Sequence, residues 1–208
     1  MKLRHSFAAV LAVFLFISAA SAQRAEITVN LNEAFFDALL DSVFQNYDPP
    51  QFAISQTESS GCGKVQILRE MNGVRTAVRF REGKVFVPLA FSGNYAAPFV
   101  GCVEFAGWAE TNIDLEFDQQ SQKLIGKARV LNVNLNGSGG LGGSVIAKLI
   151  QGSIDKKLNP IEILNLEKIS FGVPVPNAGN IKMKATAIRP EILNGSLQIR
   201  INYDFLKG

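Results

Sequence analysis

Gly137-x-Gly139-x-x-Gly142, inside the stretch "GSGGLGG" at 137–143, has the spacing of the fingerprint that cradles a dinucleotide pyrophosphate. The strand-like run "ARVLNVNL" precedes it and the helix-like run "SVIAKLIQGSIDKKL" follows it. The fingerprint carries meaning only inside a parallel βαβ unit. Here the strands before it are joined by short turns, which makes them antiparallel. The acidic residue required further on has only poor candidates, Glu162 or Glu167. The glycines therefore read as a hinge that lets the chain leave a strand and swing into a helix lying on the sheet. A loop of this composition is also expected to move as a flap over whatever the helix covers.

The rest of the chemistry is bounded by what is scarce. The one histidine, His5, falls in an N-terminal leader, so the remaining chain has none. That excludes histidine-based triads, cysteine–histidine dyads and histidine-ligated zinc. Carboxylate-only catalysis survives this filter, but no Asp/Glu pair stands in an otherwise apolar setting. No catalytic residue, metal ligand or cofactor is assigned, and a non-enzyme is expected.

The leader has three parts. Lys2, Arg4 and His5 are positive, "SFAAVLAVFLFI" is apolar, and Ala20-Ser21-Ala22 offers a small-residue cleavage site before Gln23. This is the pattern of a secretory signal peptide over residues 1–22. It predicts export to a periplasmic or extracellular space, leaving 23–208 as a single α+β domain large enough for a substantial core. No second long apolar run follows, so a soluble mature chain is expected. Loss of Lys2 and Arg4 lowers the formal charge from +3 to +1. No nucleic-acid partner is expected at that charge. Two cysteines in an exported chain, Cys62 and Cys102, read as a disulfide closing a loop of about 41 residues, two free thiols being the alternative.

Periodicity supplies the elements. "AEITVNL" alternates as a strand, and Asn32 is placed to cap a helix through "EAFFDALLDSVFQNY". Phe35, Phe36, Leu39, Leu40, Val43, Phe44 and Tyr47 make a broad apolar arc on it. "PPQFAISQTESSGCG" reads as a loop or an irregular crossing segment, "KVQILRE", "VRTAVRFR" and "KVFVPLAF" as strands, and "SGNYAAPFVG" as a loop. Arg75, Arg79 and Arg81 share one face, either solvated or set to bind a headgroup or phosphate. From Val103 to Phe117 every odd position is apolar, small or threonine, which predicts one long half-buried strand. Pairing Asp118 with Lys123 sets its hairpin, with Asp114 opposite Lys127, Asn112 opposite Arg129 and Phe117 opposite Leu124. The phase slips near Val130, as a bulge would make it. Trp108 falls on the wet parity, covered by 131–135 or exposed as a membrane or partner anchor. Ser144 is placed to cap a second helix bearing Val145, Ile146, Leu149, Ile150, Ile154, Leu158 and Ile161, with Pro160 marking its end. Three more strands close the chain. Asn136 and Asn194 head "NGS" triplets in expected turns, glycosylation acceptors only in a eukaryotic secretory pathway.

The simplest packing of this order is a curled antiparallel sheet wrapped around two amphipathic helices, a half-barrel of super-roll type. Four segments, "NEAFFDALLDSVF", "VEFAGWAETNIDLEF", "SVIAKLIQGSIDKKL" and "KMKATAIRPEILNGSLQIRINYDF", make the chain resemble the tubular lipid-binding superfamily of the bactericidal/permeability-increasing protein. The resemblance is one of pattern over roughly 25–208 and rests on no diagnostic motif. It implies a groove between helices and sheet that takes lipid acyl chains or another apolar small molecule, with transient membrane contact. Phe36, Leu39, Leu40, Val43 and Phe44 would form one wall, Leu149 and Ile150 the other. The competing expectation is an interaction module with a filled core, acting through its surface or a sheet edge.

Overall fold

The computed structural model describes residues 24–54, 62–97, 99, 101–136 and 142–208. The expected signal peptide lies outside the described residues. In chain order the elements are β1 (Arg24–Asn32), α1 (Glu33–Asn46), β2 (Gln51–Ala53), β3 (Lys64–Leu68), β4 (Glu70–Met71), β5 (Val74–Arg75), β6 (Arg79–Arg81), β7 (Lys84–Ala97), β8 (Gly101–Asp118), β9 (Lys123–Leu135), α2 (Gly143–Lys157), β10 (Ile161–Asn165), β11 (Phe171–Val175), β12 (Gly179–Leu193) and β13 (Ser196–Lys207). One sheet has the order β1-β13-β12-β11. The other runs β10-β9-β8-β7-β3-β2, with β6 also on β7, and β4-β5 form a separate ribbon.

The expected α+β architecture, one sheet wrapped around two helices, is overturned. The fold is mostly β, built of two curled half-barrel sheets, and the helices are not its centre. β1 pairs with β13 in unbroken register, Ile27 beside Ile201, Val29 beside Ile199 and Leu31 beside Leu197. These apolar rows give the smaller sheet a full apolar face, which must find its own cover. It finds the near end of the larger sheet. Phe80, Val85, Val87 and Leu124 of the larger sheet pack with Ile188, Leu197, Ile199, Ile201 and Tyr203 of the smaller one. The far end of the larger sheet is covered instead by α2, whose Ile146, Ile150 and Ile154 bury against Val65, Phe91, Ala109, Ala128 and Val133.

The long hairpin has the expected register: Asp118 faces Lys123, Asp114 faces Lys127, Asn112 faces Arg129 and Phe117 faces Leu124. The slip also occurs, because Glu110 pairs with Asn132 and Thr111 with Val130, leaving Leu131 bulged. Two expectations fail nearby. β7 continues through Ala97, so "SGNYAA" is strand rather than loop, and β2 forms where only an irregular segment was expected. Side chains alternating against a partner strand settle these cases, and a single chain's turn-like composition does not reveal the partner.

α1 starts as expected, with Asn32 Oδ1 accepting from the Phe35 N–H at 2.9 Å. Yet no residue of α1 is buried, and Phe35 and Leu39 are each 48% exposed. Charge holds this helix in place. Glu33, Asp37 and Asp41 form a stripe at spacing four. Arg79 reaches Glu33 at 3.7 Å and Asp37 at 3.1 Å. Arg69 and Arg75 reach Asp41 at 2.6 and 3.0 Å. The Phe80 N–H donates to Glu33 at 2.8 Å, and the Phe36 ring meets Phe80 edge-on. The arginine face is thus neither simply solvated nor open for a headgroup at Arg75 and Arg79. Arg81 lies over the Phe86 ring.

Acid is expected to loosen the Asp41 clamp and a separate ion-pair cluster at Glu162 of β10. The hydrogen bond from Arg69 holds the Asp41 carboxyl below its ordinary range. Hydrogen bonds from Lys123 and Lys168 bring Glu162, which anchors β10, down from 4.5 to about 2. Both carboxylates are more acidic folded than unfolded, so their contribution is complete above the unfolded value and is lost as pH falls. Thermal melting followed by circular dichroism should give a level Tm above pH 4.5 and a falling Tm toward pH 2. In Glu162→Gln the fall should be shallower and the neutral-pH Tm lower. An unchanged acid limb in that variant would remove Glu162 from the account.

Candidate functional site

α2 presents three adjacent rows at spacing four: Ile146–Ile150–Ile154, Leu149–Ser153–Lys157 and Lys148–Gly152–Lys156. The first row is buried in the core of the larger sheet. The other two rows line a cleft of about 420 Å³, closed on the opposite side by Ala53, Ile54, Tyr95 and Ala96. Ser153 Oγ donates to the Ala53 carbonyl at 2.6 Å, which ties the helix to the end of β2 and forms the floor. Beneath, Phe91, Phe105 and Tyr95 make an aromatic run, with centroids 5.9 Å apart for Phe91–Phe105 and 6.1 Å for Tyr95–Phe105.

The helix start is made by glycine. Gly142 has φ +90°, a left-handed conformation suited to glycine, and a Cβ on Gly143 would stand 2.7 Å from the Val133 carbonyl oxygen. Ser144, expected to cap α2, sits inside the first turn, and the helix has no side-chain cap. The rest of the glycine stretch, 137–141, lies outside the described residues. β9 pairs antiparallel with both β8 and β10, so the parallel unit needed for dinucleotide binding is absent around this strand.

The disulfide braces the other wall. Cys62 and Cys102 are bonded, and Cys102 is the register partner of Ala96. Gly63, next to Cys62, accepts from the Ile54 N–H at 2.7 Å and donates to the Asn94 carbonyl at 3.1 Å. Ile54, Tyr95 and Ala96 are thereby tied to one cross-linked corner.

Lys148, Lys156 and Lys157 stand exposed on the α2 side of the apolar floor. None of the ion pairs among the described residues involves them, and no carboxylate lines the cleft. An apolar base with ammonium groups along its α2 side suits an anionic amphiphile: apolar surface inside, negative charge held at one edge of the mouth.

The sequence-predicted wall residues are divided by the fold. Leu149 lines the cleft and Ile150 is buried beneath it. Phe36 packs on the other core, between the sheets. Leu40, Val43 and Phe44 are half-buried on α1, and Leu39 is exposed. The two helices do not face each other across a shared groove. Sequence reading missed Ala53, Ile54, Tyr95, Gly152 and the lysines. The spacing of Lys148, Gly152 and Lys156 was the available signal, a glycine gap between two cations on one helical row. Trp108 is half-buried on the outer face, its register partner being Asn134 of β9. Among the described residues no helix is long and apolar enough to cross a membrane. No protein-family model matches the chain, and no curated protein matches it.

Proposed function

We propose that the protein is an exported binding or carrier protein for an anionic, single-chain amphiphile, held by its acyl part in the cleft beside α2 and by its headgroup at Lys148, Lys156 and Lys157. One observation carries this reading: an apolar cleft of about 420 Å³ whose rim bears three unpaired lysines. The volume falls within the roughly 300–1,000 Å³ typical of small-ligand sites. The disulfide is consistent with an oxidising, exported setting. Kinship with the tubular lipid-binding superfamily remains part of this proposal and rests on the sequence segments quoted above. The groove between two helices is not part of it.

Competition against a fluorescent fatty acid tests the headgroup assignment. Exposed charge pairs contribute about 0.5 kcal/mol each, so Lys148→Gln, Lys156→Gln and Lys157→Gln together should weaken a fatty acid roughly tenfold. The matching fatty alcohol should lose little. Equal losses for both ligands, or none for either, would reject the lysine rim as the headgroup site.

A further inference from the structure

The two sheets end in four strands, with β6 a three-residue side branch on β7, and three of the four end strands are protected against pairing with another chain. β2 is three residues long. β11 is five residues long and carries Pro174. β10 has a register shift between Glu162 and Leu164, and Glu162 is ion-paired to Lys123 and Lys168. Short length, proline, bulges and charge are the usual protections of an edge. β1 has only charge, confined to its start in Arg24 and Glu26, and none of these protections from Ile27 onward. It is nine residues long, contains neither proline nor lysine, and pairs with β13 without a bulge. Among the described residues, nothing pairs with its outer side. On its core face Ile27 and Val29 remain 39% and 38% exposed, although their neighbours Ile201 and Ile199 are buried.

We propose that β1 is a self-association edge: two copies of this chain pair antiparallel through β1 about a two-fold axis at Thr28, joining their smaller sheets into one of eight strands. The sequence of β1 is self-complementary in that register. Ile27 falls opposite the second copy's Val29, Ala25 opposite Leu31, Glu26 opposite Asn30 and Arg24 opposite Asn32. No like charges meet. The exposed Ile27 and Val29 side chains come together on one face, as an isologous interface requires. A second copy is favoured over an unrelated strand because it satisfies both edges and both half-exposed apolar pairs at once. This inference is independent of the cleft, which lies on the other sheet.

Sedimentation velocity of the purified, disulfide-bonded protein should show a mass rising from monomer to dimer with concentration. Val29→Lys places a charge on the paired face and should shift the distribution to monomer with an unchanged circular dichroism spectrum. Thr28→Cys decides the register even if Val29→Lys fails to fold. Mild oxidation of Thr28→Cys should give a covalent dimer joined through the two introduced thiols, and Ser121→Cys in the distant β8–β9 turn should not. A wild-type monomer at every concentration, or a dimer that Thr28→Cys does not cross-link, would overturn the proposal.

Discussion

Replacing both Cys62 and Cys102 by serine is expected to lower the unfolding free energy by about 4 kcal/mol. The bond spans 40 residues of sequence. Opening it frees that loop in the unfolded chain, and the entropy cost of closing it then returns to folding. The bond also has a local effect. It joins the entry to β3 to the start of β8, and Gly63 and Asn94 hold the Ile54 corner beside it. Loss of the bond should therefore weaken acyl-ligand binding as well as stability. Urea unfolding of oxidised and double-serine proteins measures the first effect, and ligand titration below the transition measures the second. A stability loss under about 1 kcal/mol would mean that the unfolded loop is already restricted.

Gly152→Trp should separate binding from stability in the opposite sense. Gly152 lies inside α2 on the cleft side, and a Cβ added there meets no atom within 4 Å. Glycine costs about 1 kcal/mol in a helix interior, so tryptophan should leave the Tm level or raise it. The indole would occupy the space assigned to the acyl chain. Displacing about 100 Å² of buried acyl surface, at about 25 cal/mol per Å², removes about 2.5 kcal/mol, close to a hundredfold in affinity. A stable variant that binds fatty acid as tightly as the parent would place the ligand elsewhere.

Local features were legible in the sequence because local physics made them. The Asn32 cap, the Asp118–Lys123 hairpin register and the bulge near Val130 depend on residues close in the chain, whose charge and parity can be matched by inspection. The division into two sheets was not legible. It depends on β1 reaching β13 across most of the chain, and nothing in "AEITVNL" names that partner. Once those strands pair, their apolar rows cover the near end of the larger sheet, and only its far end is left for a helix, α2, to fill. α1 misled for a related reason. Its broad apolar arc indicates burial when charge is ignored, yet Glu33 and Asp37 are matched by Arg79, and Asp41 by Arg69 and Arg75. The candidate site was half legible. Leu149 was chosen as a wall residue, but the opposite wall comes from β2 and the end of β7, elements the sequence did not announce.

Lipid carriage is tested most plainly by native mass spectrometry of the protein purified from its native source, followed by organic extraction and identification of what is released. The account predicts a near-stoichiometric single-chain lipid with an anionic headgroup, absent from Gly152→Trp. A clean unliganded mass that persists after incubation with vesicles containing anionic lipid and free fatty acid would contradict it.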